Sequence, residues 1–308
     1  MLGNGDGTFR AASGSPMRVP SPPYDDFPSP LLGPGLALGD FNRSGHTGLA
    51  VGLFQNLAAA ILLGKGDGTF NYSGTLAYIQ GQPTWSLTAA DFNADGNWDL
   101  VAANNGGGES PVVLLGYSHG AFNAIPQNVQ MTGVSSAAGD FNGDGKLDLA
   151  IGGASILLGN GDGTFTQGDT LNVGNFVTVA DFNGDGKLDL AVCDNAKNTV
   201  TILLGDGTGN FTTASGSPIA VGNQPWAILA GDFNNDGKLD LATANNGDGT
   251  VTLLLGNGDG TFSQASGSPY SVGGNPDAIT AADFNGDGKL DLAVADTLGS
   301  AVWILLQQ

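Results

Sequence analysis

Residues 283–291 read Asp283-Phe284-Asn285-Gly286-Asp287-Gly288-Lys289-Leu290-Asp291, with oxygen-bearing side chains at positions 1, 3, 5 and 9 and glycine at position 6. The opening Asp-Phe-Asn recurs at Asp40, Asp91, Asp140, Asp181, Asp232 and Asp283, in steps of 51, 49, 41, 51 and 51 residues. A second string, Leu-Gly-x-Gly-Asp-Gly-Thr-Phe, is intact at 2–9, 63–70, 158–165 and 255–262 and weaker at 115–122 and 204–211. A fixed period of this length marks a repeat architecture, in which each unit completes its core only against its neighbours.

Working outward from the nonapeptide, each unit reads as four short strands. A small apolar strand (278–282) leads into it, and an alternating strand (290–294) follows. A continuous apolar run such as 251–255 suits a third strand covered on both faces. The Gly-Asp-Gly turn then supplies the positive φ of a tight hairpin, and a fourth strand starts at Thr-Phe. No stretch shows a 3.6-residue period, so the chain is all-β. Four-stranded units with small first strands predict a β-propeller, with six blades in one domain spanning 1–308. The last unit stops after its third strand, and a strand near 8–19 is expected to complete it from the N-terminus. The third unit is short. The proline-rich stretch 20–28 reads as a surface loop.

Composition fits this reading. Of 308 residues 52 are glycine, 29 are acidic and only 9 are Lys or Arg, and Glu109 is the single glutamate. A chain so poor in Glu and Lys is no helix bundle. With 41% hydrophobic residues it can bury a core despite a formal charge of −20, and that charge disfavours nucleic acid as a partner. No run is long and apolar enough for a transmembrane helix. The lone Cys193 excludes an internal disulfide. No signal peptide is visible.

The aspartates have an address in the nonapeptide. A hard cation such as Ca²⁺ takes about six to eight oxygens on a tightly curled loop. Positions 1, 3, 5 and 9 offer side-chain oxygens and position 7 its carbonyl. Five loops carry the set: Asp91, Asn93, Asp95, Asn97, Asp99; Asp140, Asn142, Asp144, Lys146, Asp148; Asp181, Asn183, Asp185, Lys187, Asp189; Asp232, Asn234, Asp236, Lys238, Asp240; and Asp283, Asn285, Asp287, Lys289, Asp291. The first loop, with Asp40, Asn42 and Ser44 but Gly48 at position 9, is a weak site at best. The competing explanation is a set of Asx turns needing no metal. Three Asp within nine residues repel one another, however, and that favours a cation.

The repeated Asp-Phe-Asn-Gly-Asp-Gly-Lys-Leu-Asp-Leu, followed by Leu-Leu-Gly-Asn-Gly-Asp-Gly-Thr-Phe, resembles the FG-GAP/VCBS repeat family, related to the calcium-binding blades of integrin α-chains. The resemblance covers essentially the whole chain. It implies a secreted or cell-surface propeller with calcium between the first two strands of a blade. Integrin-type heads have seven blades, so six units depart from that pattern. Function in the family ranges from adhesion and glycan binding to parts of polysaccharide lyases, so the fold does not choose a ligand.

A ligand surface is expected at the end of the blades opposite the loops. The residues six before each loop Asp are Pro34, Trp85, Val134, Asn175, Trp226 and Asp277. Trp85 and Trp226 are either stacking platforms for a sugar or protein, or packing between blades. Tyr24 in the long loop, Glu109 in an insertion and Asp277 complete the candidate ligand-binding set. Trp98 and Trp303 read as core, and Cys193 as a small buried residue. Catalysis finds little support: His46 and His119 are the only histidines, both in degraded turns, and no nucleophile–base constellation assembles. The expectation is a non-enzymatic, calcium-stabilised module for a glycan or protein ligand. A polysaccharide-active enzyme or accessory domain, and a purely structural or idealised scaffold, are the alternatives.

Overall fold

The computed structural model describes residues 2–3, 9–10, 32–53, 58–79, 84–104, 112–127, 129, 133–153 and 155–307. Among them every element is a strand except one 3₁₀ turn at Ser118–Gly120. The repeats are the six blades of a β-propeller, and their strands hydrogen-bond antiparallel in chain order.

Packing divides the chain into two compact units. The first, Met1–Leu2 with Ala11–Thr170, holds three four-stranded sheets. They run Leu32–Gly39, Gly48–Leu53, Ala58–Gly64, Phe70–Tyr78; Thr84–Ala90, Asp99–Asn104, Val112–Tyr117, Ala121–Ile125; and Ser136–Gly139, Asp148–Ile151, Ser155–Gly159, Phe165–Thr170. The second unit is Gly3–Arg10 with Leu171–Gln308. Its sheets are Phe176–Ala180, Asp189–Asp194, Thr199–Gly205, Phe211–Thr213; Pro225–Gly231, Asp240–Asn245, Thr250–Gly256, Phe262–Gln264; and Pro276–Ala282, Asp291–Asp296, Ala301–Leu305. In the first two of these, short extra strands at Ile219–Ala220 and Tyr270–Ser271 also pair with the third strand.

Of the expected closing strand, only Phe9–Arg10 is described; it forms a two-stranded sheet with Leu2–Gly3. The remainder of 8–19, and the loop 20–28 with Tyr24, lie outside the described residues.

The second and third strands form the core because their alternate faces both meet apolar neighbours. Leu190, Ala191, Val192 and Cys193 are all buried, as are Leu100, Val101 and Ala102. One cluster joins Ala50, Ile61, Leu100 and Leu114 from the first two sheets, and another joins Ile202, Leu241 and Leu254 from the fourth and fifth. Neighbouring sheets also meet through aromatic rings. In three loops the Phe at position 2 packs edge-on against the Phe at the start of the next sheet's fourth strand: Phe41–Phe122 at 5.9 Å, Phe92–Phe165 at 5.7 Å and Phe182–Phe262 at 5.7 Å.

Two tryptophans expected in the core are not there. Trp98, at loop position 8, is 38% exposed and lies over Gly39, where a Cβ would come within 3.0 Å of its ring. Trp303, on Ala301–Leu305 of the last sheet, is 43% exposed.

A candidate cation loop at one end of each blade

Antiparallel order puts the nonapeptide loop and the hairpin between the third and fourth strands at the same end of each of the first five sheets. In the second loop Asp91 Oδ1 accepts the amide of Asp95 and Oδ2 that of Gly96, while Asn93 Oδ1 also accepts from Asp95. Asp95 Oδ1 in turn accepts the Asn97 amide at 2.7 Å. The same wrapping recurs around Asp140, Asp181, Asp232 and Asp283. It survives in the first loop, where Asp40 accepts from Ser44 and Gly45. There Asn42 Oδ1 is buried without a hydrogen-bond partner, an acceptor left free in the weak site.

Position 9 has a second role. Asp99, Asp148, Asp189, Asp240 and Asp291 are fully buried, and each spends both oxygens on amides. One oxygen accepts the N–H of the loop's own position 2: Phe92, Phe141, Phe182, Phe233 or Phe284. The other accepts from the end of the third strand: Gly116, Gly159, Gly205, Gly256 or Gln307. The strand must come close for this. A Cβ on Gly159 would lie 2.1 Å from Leu147 O, so the Gly of the Leu-Gly string is a consequence of the clamp. Sequence reasoning named the aspartate and missed its partner, whose signal was that recurring Leu-Gly.

Position 7 also divides its labour. The aliphatic stems of Lys146, Lys187 and Lys238 lie over the first turn glycine of their own hairpins, Gly161, Gly207 and Gly258, and the His46 ring stands over Gly66 in the first repeat. The hairpin aspartates are Asx turns: Asp67, Asp162 and Asp259 accept both the amide and the hydroxyl of Thr69, Thr164 and Thr261. Those threonine hydroxyls hold the carboxyls below their ordinary range, as Thr208 does for Asp206, down to about 2.

The position-9 carboxyls Asp99, Asp148, Asp189 and Asp240 of the nonapeptide loops shift in the opposite sense, while Asp40, Asp95 and Asp283, held by hydrogen bonds from loop amides, are lowered. Burial, reinforced by the charges of Asp95 and Asp91, pushes Asp99 up to about 6. Burial likewise raises Asp148, Asp189 and Asp240, each helped by the aspartates at positions 5 and 1 of its own loop. The three carboxylates of a loop are thus close enough to repel, while lysine neutralises them only weakly, at 3.6 Å for Lys146–Asp144 and 3.9 Å for Lys187–Asp185 on exposed side chains. Among the described residues, no three Asp, Glu, His or Cys side chains are gathered tightly enough to hold an ion. The donor chemistry nonetheless fits a hard cation: oxygen atoms only, a glycine-permitted curl and an excess of negative charge.

At the other end of the sheets, Trp226 is half-buried and stacks on Phe176, with centroids 6.2 Å apart and planes at 28°. Asp277 accepts from the Asn246 amide and the Thr297 hydroxyl, and Asn275 donates to Asn246 at 2.9 Å. These contacts join Asp277 to turns of two successive sheets. Trp85 lies on a described strand, but its side chain is outside the described set, as is Glu109. His46 and His119 are exposed, whereas Cys193 is buried against Pro225 O and burial pushes its thiol upward.

The sequence matches the FG-GAP-like repeat at residues 40–102, 91–151, 140–192, 181–243 and 232–294. No curated protein matches it. Among solved structures, a protein from Lactobacillus plantarum aligns at 15% identity with a TM-score of 0.61, over 91% of this chain and 85% of that one. A periplasmic gluconolactonase of Pseudomonas aeruginosa aligns at 14% and 0.55, over 88% and 73%. An auxiliary nutrient binding protein of Bacteroides ovatus aligns at 12% and 0.55, over 90% and 69%. At these identities the likeness is one of fold.

Proposed function

Since the chain belongs to the FG-GAP-like repeat family, we propose that it is a calcium-stabilised extracellular propeller that binds a glycan or protein ligand. The observation carrying the calcium half is the crowding of carboxylates in each loop: burial, reinforced by the charges of Asp95 and Asp91, lifts Asp99 to about 6. Ca²⁺ supplies the missing positive charge. Asp91, Asn93, Asp95, Asp99 and the Asn97 carbonyl are its proposed donors in the second loop, with equivalent residues in the third to sixth. The position-9 carboxylate keeps its two amide bonds and offers the lone pairs left over.

Binding is assigned to the end opposite the loops, where repeats otherwise alike differ in residue type. Trp226 supplies apolar ring surface there, flanked by amides and carboxylates. This chemistry suits a sugar ring, which stacks on indole and hydrogen-bonds at its rim. We read the protein as a binder rather than an enzyme because its histidines stand exposed in degraded turns and its thiol is buried in the basic direction. A glycan array probed in calcium tests the assignment. Specific binding that is lost in Trp226→Ala, with folding retained, is the expected result; polysaccharide cleavage by the purified chain would overturn it.

A further inference from the structure

We propose that Arg43 is a resident substitute for an ion: reaching out of the degraded first loop, it holds the second loop closed in the absence of metal. The contrast it draws between loops rests on the calcium reading, while the contact itself does not.

Position 4 of the loops is occupied by Arg43, Ala94, Gly143, Gly184, Asn235 and Gly286, all with left-handed backbone between φ 56° and 80°. Arginine alone among them carries a long cationic side chain. Its Nε donates to Gly96 O at 2.9 Å, and its Nη2 donates to Asp95 O at 2.5 Å. Those carbonyls belong to positions 5 and 6 of the second loop, the tightest part of its curl, just before the position-7 carbonyl offered to an ion. The approach is close: a Cβ on Gly96 would lie 2.8 Å from Nη2. A planar guanidinium can bond two adjacent carbonyls at once, which an ammonium on a flexible stem does poorly. Lys146 and Lys187, in the third and fourth loops, lean instead toward their own position-5 carboxylates.

The first loop has the composition to release this side chain. It has lost carboxylates at positions 5 and 9, where Ser44 and Gly48 stand, so little negative charge holds the guanidinium at home. Nor does position 9 have room for a side chain: a Cβ on Gly48 would lie 2.6 Å from Leu62 O. One repeat has thereby exchanged its own anionic set for a cation that braces its neighbour.

Amide hydrogen exchange of the full chain in chelator tests this. Asp95, Gly96 and Asn97 are expected to exchange about ten-fold or more slower than Asp144, Gly145 and Lys146 of the third loop. Arg43→Ala should erase the difference, Arg43→Gln should keep part of it, and third-loop protection reports whether either variant is folded. Arg43→Ala exchange at 95–97 within about two-fold of the parent would overturn the proposal. Adding Ca²⁺ should protect the third loop. If it protects no loop, the calcium reading falls, while the comparison in chelator still decides the role of Arg43.

Discussion

Gly205 donates its amide to the buried carboxylate of Asp189 at 2.8 Å, joining the end of a third strand to a loop sixteen positions earlier in the chain. The other oxygen of Asp189 accepts from Phe182 at 2.9 Å. Asp189→Asn keeps the shape but turns an N–H₂ toward one of the two amides, leaving a buried donor unpaired. Destabilisation of roughly 2–4 kcal/mol is expected, with or without calcium. Asp185→Asn, on the exposed part of the same loop, should matter only when calcium is present. Urea melts of both variants in calcium and in chelator separate the two roles.

Removing calcium should lower thermal stability cooperatively. Each site held at about a hundred times its Kd contributes about 2.7 kcal/mol, so several sites together should move Tm by about 10 °C or more. Calorimetry after chelation, and again after adding back Ca²⁺, measures this. An unchanged Tm would contradict a stabilising role.

The pH dependence has a definite sign. Asp99 is raised from 3.8 to about 6 in the folded chain, so between those values the folded state binds more protons than the unfolded one. Metal-free stability therefore falls as pH rises from about 4 to 6, by an amount on the order of 3 kcal/mol from this group. Asp148, Asp189 and Asp240 act in the same direction. The lowered hairpin carboxyls oppose this only below 3.8, as they protonate. The gain in Tm on adding calcium should accordingly be larger at pH 7 than at pH 4.5, as paired melts in the two buffers can check.

Trp226→Ala removes a partly buried ring stacked on Phe176 and should cost about 1–3 kcal/mol. A Trp85→Ala/Trp226→Ala double variant that stays folded and binds glycan as before would remove the platform from the proposed function.

The repeat, its strands and its turn residues were legible because period-two alternation and Gly-Asp-Gly chemistry are local signals. The oxygen positions of Asp283 to Asp291 were legible for the same reason. The partners of position 9 were not, because Gly205 and Asp189 meet only once the third strand has folded back beside the second. The exposure of Trp98 and Trp303 was hidden for a related reason: an apolar residue beside a strand pattern says nothing about whether anything covers its outer face. Arg43 gave no signal in the sequence, since a bond to Gly96 in another repeat leaves no trace in the spacing of its own.

The edge-on pairs Phe41–Phe122, Phe92–Phe165 and Phe182–Phe262 make these three loops joints as well as turns. The ring next to the position-1 aspartate rests on the following sheet, so slackening of the loop is passed forward to it. A change in one of these loops is therefore felt at the interface with the next blade as well as within its own.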